Sequence, residues 1–126
     1  MLGDERRSIR YPIGMRCVYR LHKTVTEPVS AMITNVSRQG CGLETEDPLG
    51  EPRDVLEIHF SAPGGGPSGL IIGEVVQRTK NSMGWALGVA FLDVDPAVKW
   101  TLLDSAYRRW EEGLNAGAEA SGHETP

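Results

Sequence analysis

Six short stretches of this chain either alternate apolar and polar residues or run to Val and Ile, and turn-forming residues part each from the next. Alternation with a period of two buries one face of a segment and wets the other, so the pattern specifies strands rather than helices. Residues 15–23 set Met15, Cys17, Tyr19 and Leu21 against Arg16, Arg20 and His22, and residues 29–34 form a second apolar segment. After the turn-like run Asn35-Val36-Ser37-Arg38-Gln39-Gly40, residues 41–45 resume as a third strand. Residues 55–60 alternate Leu56, Ile58 and Phe60 with Glu57 and His59, and residues 70–79 are rich in Ile and Val. Residues 85–92 alternate Trp85, Leu87, Val89 and Phe91 with Ala86, Gly88 and Ala90. Such a succession implies a barrel or a sandwich.

The texture changes after Asp93-Val94-Asp95-Pro96, where Asp95 suits a helix N-cap and Pro96 the first turn. Leu103, Ala106 with Tyr107, Trp110 and Leu114 recur at helical spacing, predicting one amphipathic helix that lies against the barrel. Gly113 and Gly117 mark its end, and residues 115–126 carry too little apolar content to pack, predicting a disordered tail. With 126 residues the chain has room for one domain. It divides into an N-terminal arm over residues 1–14, a barrel with its helix over 15–114, and the tail.

Charge and composition remove several function classes. No stretch approaches the roughly 18 apolar residues of a membrane span, and MLGDERRSIR has no apolar leader, which predicts a cytoplasmic protein without membrane insertion. Cys17 and Cys41 form no metal-binding or disulfide spacing, so both read as small buried hydrophobes. The net charge of −4 and the shortage of aromatics outside core-facing positions argue against nucleic acid as a partner. The Gly-rich segment 64–69 lacks the Lys-Ser/Thr ending of a phosphate-cradling loop, and His22, His59 and His123 stand without metal-ligand spacing. No catalytic residue, metal site or cofactor is expected, and Trp85 and Trp110 are assigned to packing.

The cations are unevenly placed: Arg6, Arg7, Arg10, Arg16 and Arg20 crowd the first twenty residues. Among them stands Arg6-x-x-x-Arg10, just before the first strand, and Asn35-x-Ser37-x-x-Gly40 follows in the turn between strands two and three. Each has a plain structural explanation, since arginine pairs arise by chance among ten arginines, and Asn, Ser and Gly are turn formers. Their order, together with Gly88-Val89-Ala90-Phe91-Leu92 and a final helix, resembles the PilZ family of bacterial cyclic di-GMP receptors from about Arg6 to about Trp110.

The resemblance implies an all-β fold with a C-terminal helix, a six-stranded antiparallel barrel followed by one helix. It also implies a cyclic di-GMP ligand clamped between the N-terminal arm and the barrel surface. Arg6 and Arg10 would contact guanine and phosphate, for which the planar guanidinium fork is suited. Asn35 and Ser37 would hydrogen-bond the ligand, Gly40 would let the backbone approach, and Arg7, Arg38 and Gly88 are second-rank contacts. Asn35 takes the place of an allowed Asp, which bears on affinity, and the acidic Glu5 before the arginine motif leaves one ligand or an intercalated pair open. The implied protein is a monomer or weak dimer that signals to an effector protein by ordering its arm. The alternative is a barrel of this kind that has lost its ligand and serves as a protein-interaction adaptor.

Overall fold

A computed structural model of the chain describes residues 9–61 and 68–124, without the side chains of residue 110 and residues 113–124. The strands are β1 (Tyr11–Leu21), β2 (Val29–Val36), β3 (Gly40–Thr45), β4 (Val55–Ser61), β5 (Ser68–Asn81) and β6 (Gly84–Val94). They close into an antiparallel barrel in the order β1-β2-β3-β6-β5-β4, and one helix, α1 (Pro96–Glu124), follows. The expected barrel with a C-terminal helix is thus the fold. It consists of two three-stranded meanders, β1-β2-β3 and β4-β5-β6, joined along two seams where β1 pairs with β4 and β3 with β6.

Period-two alternation fills the barrel. Ile13, Met15, Cys17 and Tyr19 point inward from β1, against Ile33 and Val36, Leu43, Leu56 and Ile58, Ile71 and Val75, and Leu87 and Val89 of the other strands. Tyr19 is wholly buried, and its hydroxyl donates to the Leu49 carbonyl at 2.6 Å, so its polar atom is satisfied inside. Burial pushes the thiols of Cys17 and Cys41 up to about 12, which keeps both protonated and inert as nucleophiles.

Two boundaries move most from the sequence reading, the start of β1 and the end of the helix. Strand β1 begins at Tyr11, four residues before Met15, because a register shift between Pro12 and Met15 absorbs the two strand breakers Pro12 and Gly14. Tyr11 to Gly14, assigned from sequence to the arm, therefore belong to the barrel. Helix α1 continues through Gly113 and Gly117 to Glu124, so most of the expected tail is helical. Glycine costs about 1 kcal/mol in a helix interior, yet alanine and glutamate surround these two, and no proline follows Pro96 until Pro126. The helix also presents a different face. Leu102 and Ala106 are fully buried with Val98 packed beside them, whereas Leu103 is partly covered and Tyr107 is 44% exposed. The side chains of Trp110 and Leu114, the Gly-rich segment over residues 62–67, and residues 1–8 lie outside the described residues.

Asp95 caps α1, its Oδ1 accepting from the Ala97 amide at 2.8 Å, as expected. The helix covers an edge. Strand β4 pairs with β1 over residues 17–21, and nearer the N-terminus the flank of β1 meets α1 instead: Arg109 Nη1 donates to the Gly14 carbonyl at 3.3 Å, and Tyr107 meets Tyr11 edge to face at 5.9 Å.

Two side-chain groupings depart from the sequence reading as well. Trp85 lies at one end of the barrel, half-buried under the Arg78 guanidinium at 3.8 Å rather than in apolar core. Pairing of Arg20 with Glu57 across β1 and β4 gathers histidines that stand apart in sequence: Glu57 takes Arg20 Nε at 3.2 Å and His22 Nδ1 at 2.9 Å, with His59 Nε2 at 3.9 Å. Hydrogen bonds from the Lys23 amide and from His22, with Arg20 adding its charge, hold the Glu57 carboxyl down at about 2.

Leu102→Ala is expected to lower unfolding stability by about 2 to 5 kcal/mol, the usual cost of an emptied core leucine, and Leu103→Ala by clearly less. Equal losses in urea denaturation would contradict the assigned helix face. Because Glu57 is acidified in the folded state, its contribution is complete above its ordinary value of 4.5 and is lost as pH falls from there through about 2. The stability gap between the wild-type chain and Glu57→Gln should therefore close over that range; a gap unchanged down to pH 2 would rule the ion cluster out as its source.

Candidate ligand-binding site

The two motifs singled out in the sequence meet on the outside of the barrel. Arg10 immediately precedes β1, Asn35 lies near the end of β2, and Pro12 pairs with Asn35 in the β1–β2 register. That pairing delivers Arg10 to the amide: its Nη1 donates to Asn35 Oδ1 at 3.3 Å, on an exposed surface. Asn35 Nδ2 in turn donates to Thr34 Oγ1 at 3.3 Å, which fixes the orientation of the amide. Arg6 and Arg7, the other basic residues of the motif, lie outside the described residues.

A row of paired positions runs across the strands from this point. Asn35 on β2 pairs with Gly42 on β3, Gly42 with Gly88 on β6, and Gly88 with Gln77 on β5. Their neighbours Cys41, Leu43, Leu87 and Val89 all point inward, so the row faces out. Two adjacent glycines give it a floor without side chains, and the Asn35 amide lies over the first of them: a Cβ at Gly42 would collide with Asn35 Nδ2. Gly42 escaped the sequence reading, although a glycine inside a strand is itself a mark of close approach.

Ser37 and Gly40 serve the turn. The Ser37 side chain is buried, and its Oγ accepts from the amides of Gln39 at 3.2 Å and Gly40 at 3.3 Å, while the Ser37 amide donates to the Gly40 carbonyl at 2.8 Å. The Gln39 carbonyl accepts from the Phe91 amide at 2.8 Å, tying the turn to β6. Position 40 admits no side chain, because a Cβ there would run into the Val89 carbonyl oxygen of β6. Asn35 and Gly40, read from sequence as parts of the turn, close the flanking strands, and the turn proper is Ser37 to Gln39.

Arg38 at the tip is exposed and leans toward α1 rather than toward Asn35, lining a groove with Ile9, Lys99 and Trp100. Gly88 sits within the row of the Asn35 amide. Arg16, with the same spacing to Arg20 as Arg6 to Arg10, lines a separate groove formed with Met32, Glu44 and His59. Arg20 is held by Glu57. The structure therefore joins Arg10, Asn35 and Gly88 along one row and leaves Arg16 and Arg20 out of it. Among the described residues, no group of His, Cys, Asp and Glu is arranged to hold a metal ion, and no helix is long and apolar enough to cross a membrane.

The family model for the PilZ domain matches residues 4–108 of the chain. Among solved structures, the inhibitor of motility MotI/DgrA of Bacillus subtilis superposes with a TM-score of 0.69 at 13% identity, over 85% of this chain and 52% of that one. This chain thus spans about half the length of that protein. The PilZ domain of YcgR from Escherichia coli, solved with c-di-GMP, matches at TM-score 0.61 and 18% identity over 87% of this chain and 97% of that one. The PilZ domain of CeSA from a cellulose-synthesizing bacterium gives 0.59 and 10% over 79% and 96%. At such identities the likeness is one of fold. No curated protein matches the sequence.

The contrast between Gly40, which faces β6, and Gly88, which lies on it, gives a direct check on this geometry. Gly40→Ala forces a collision with β6 backbone and should cost about 1 to 3 kcal/mol, whereas Gly88→Ala meets Gln77 Cβ at an ordinary 3.4 Å and should cost little. Thermal unfolding distinguishes them, and equal destabilisation would refute the assigned packing of the turn.

Proposed function

The chain belongs to the PilZ domain family, and from that membership we propose that it is a cytoplasmic, non-enzymatic receptor for cyclic di-GMP that hands the signal to an effector protein. The observation that carries this reading is the Arg10 to Asn35 hydrogen bond at 3.3 Å, which brings together two motifs 25 residues apart at the edge of a glycine floor whose Gly42 the Asn35 amide covers. A guanine needs a planar donor fork for O6 and N7, and a phosphodiester needs a cation; an arginine supplies either. Arg6 and Arg10 take these tasks, with Arg7 as a further cation, while Arg38 stands on the α1 groove apart from them. Asn35 offers an amide to a base edge or phosphate, Ser37 and Gly40 hold the turn that positions it, and Gly88 leaves room for a flat ring.

Signalling follows from where the arginines sit. A ligand shared between residues 6–10 and the barrel would order that segment against the β2–β3 turn, which changes the surface presented to a partner. The neighbour solved with c-di-GMP supports the ligand class. The ligand-independent adaptor is the second reading, favoured by the Asn35 and Ser37 polar groups, which already have partners within the protein.

A calorimetric titration separates the two readings. Cyclic di-GMP should give a saturable heat that GTP and cyclic mononucleotides do not, and Arg6→Ala or Arg10→Ala should each weaken binding about ten- to a hundredfold, the worth of a charge-assisted contact. Arg16→Ala, an exposed arginine in the other groove, should change affinity little. Amide exchange over residues 3–10 should slow on saturation. Absence of a saturable heat would leave the adaptor reading standing alone.

A further inference from the structure

Helix α1 carries a second apolar stripe, only part of which packs against the core. Val98, Leu102 and Ala106 face the barrel, while Trp100, Leu103 and Tyr107 follow one another at helical spacing on the flank beside them. Trp100 is 71% exposed, and Ile9, beside it across a groove of about 950 Å³, is 60% exposed. Large apolar side chains gathered on one groove mark an interaction surface, and tryptophan is among the residues that most often carry the affinity of such surfaces.

The charge of the groove says what fits it. Two cations line it, Arg38 from the tip of the β2–β3 turn and Lys99 from α1, and neither makes an ion pair among the described residues. The carboxylate on the same groove, Asp104, is bonded to Arg108 Nε at 3.1 Å. The groove therefore presents two cations without an ion-pair partner among the described residues, beside apolar surface, on a chain whose net charge is −4. We propose that this groove docks a short segment of a partner protein in which carboxylates flank apolar side chains. The apolar groups settle against Trp100, Leu103 and Ile9, and the carboxylates meet Arg38 and Lys99.

The groove also touches the parts assigned to the ligand. Arg38 is the residue after Ser37, and Ile9 is the residue before Arg10. A ligand held by Arg10 would therefore fix Ile9 on one wall of the groove, and this coupling, unlike the groove itself, rests on the receptor reading.

Two labelled synthetic peptides of equal length and apolar content, one with glutamates and one with lysines at the same positions, test the proposal by fluorescence anisotropy with the full chain. Each is titrated with and without cyclic di-GMP. The acidic peptide should bind saturably and the basic one should not, with a preference that shrinks as salt is raised. Trp100→Ala should weaken the acidic peptide about tenfold or more. Lys99→Glu should weaken it too and admit the basic peptide, which a loss of folding could not do. Both variants should keep the wild-type response to cyclic di-GMP in calorimetry. Binding of the acidic peptide without any cyclic di-GMP heat would sustain the groove while removing the receptor reading. Equal binding of the two peptides, no binding of the acidic one, or indifference to both substitutions would overturn the proposal. So would sedimentation showing self-association that Trp100→Ala abolishes, since the groove would then belong to a second copy of the chain.

Discussion

Closure of the sheet through β1 is the constraint on which the rest of this molecule depends. Over residues 17–21 the strand is paired with β4, and over its N-terminal part it is paired with β2 while its other flank turns to α1. One strand thereby does three things: it shuts the barrel, seats the helix through Gly14 and Tyr11, and aims the chain ahead of it at Asn35. Because inward and outward positions alternate strictly, a slip of one residue in this strand would expose Cys17 and Tyr19. It would also carry Arg10 away from the amide it meets. Site and core are set by the same register.

What was legible in the sequence is what local periodicity encodes. Alternation located three strands, apolar or Ile- and Val-rich composition and the turns between them located the other three, and the capping pair Asp95-Pro96 located the start of the helix. The misplaced features depend on neighbours distant along the chain. Pro12 and Gly14 look like breakers until a bulge opposite β2 accommodates them. Leu102 and Leu103 are equally apolar, and only the barrel decides which one is enclosed. The grouping of Glu57 with Arg20, His22 and His59 exists only through the β1–β4 register, and the contact of Gly42 with Asn35 only through the β2–β3 register. Within the site, Asn35 and Gly40 were recognisable as types, but their division between strand ends and turn was not.

The turn and the arm around the site differ in how firmly they are held. Ser37, Gly40 and the Gln39 to Phe91 hydrogen bond tie the turn to β6 with short local contacts, and Gly40 fits there because its hydrogen takes the place a Cβ would dispute with β6. Arg10, by contrast, is held to the barrel surface by one long side chain and a bond of 3.3 Å in contact with water. Such a bond contributes little on its own, since water competes for both partners. A rigid acceptor surface thus stands beside a loosely tethered cation, and Arg10 can move without disturbing the turn.

The two seams of the barrel also govern how it comes into being. Within each meander the paired strands are neighbours in sequence, whereas the seams join Cys17 to Phe60 and Cys41 to Val89, so each seam must close a long stretch of chain. Loop-closure entropy has to be met before those pairings return any energy, so seam pairing is expected to follow pairing within the meanders. Rates measured on seam variants in a denaturant chevron read this order directly. The Gly42 and Gly88 floor lies across one of the seams, so whatever rests on it bridges the halves of the molecule and resists their separation as a staple would.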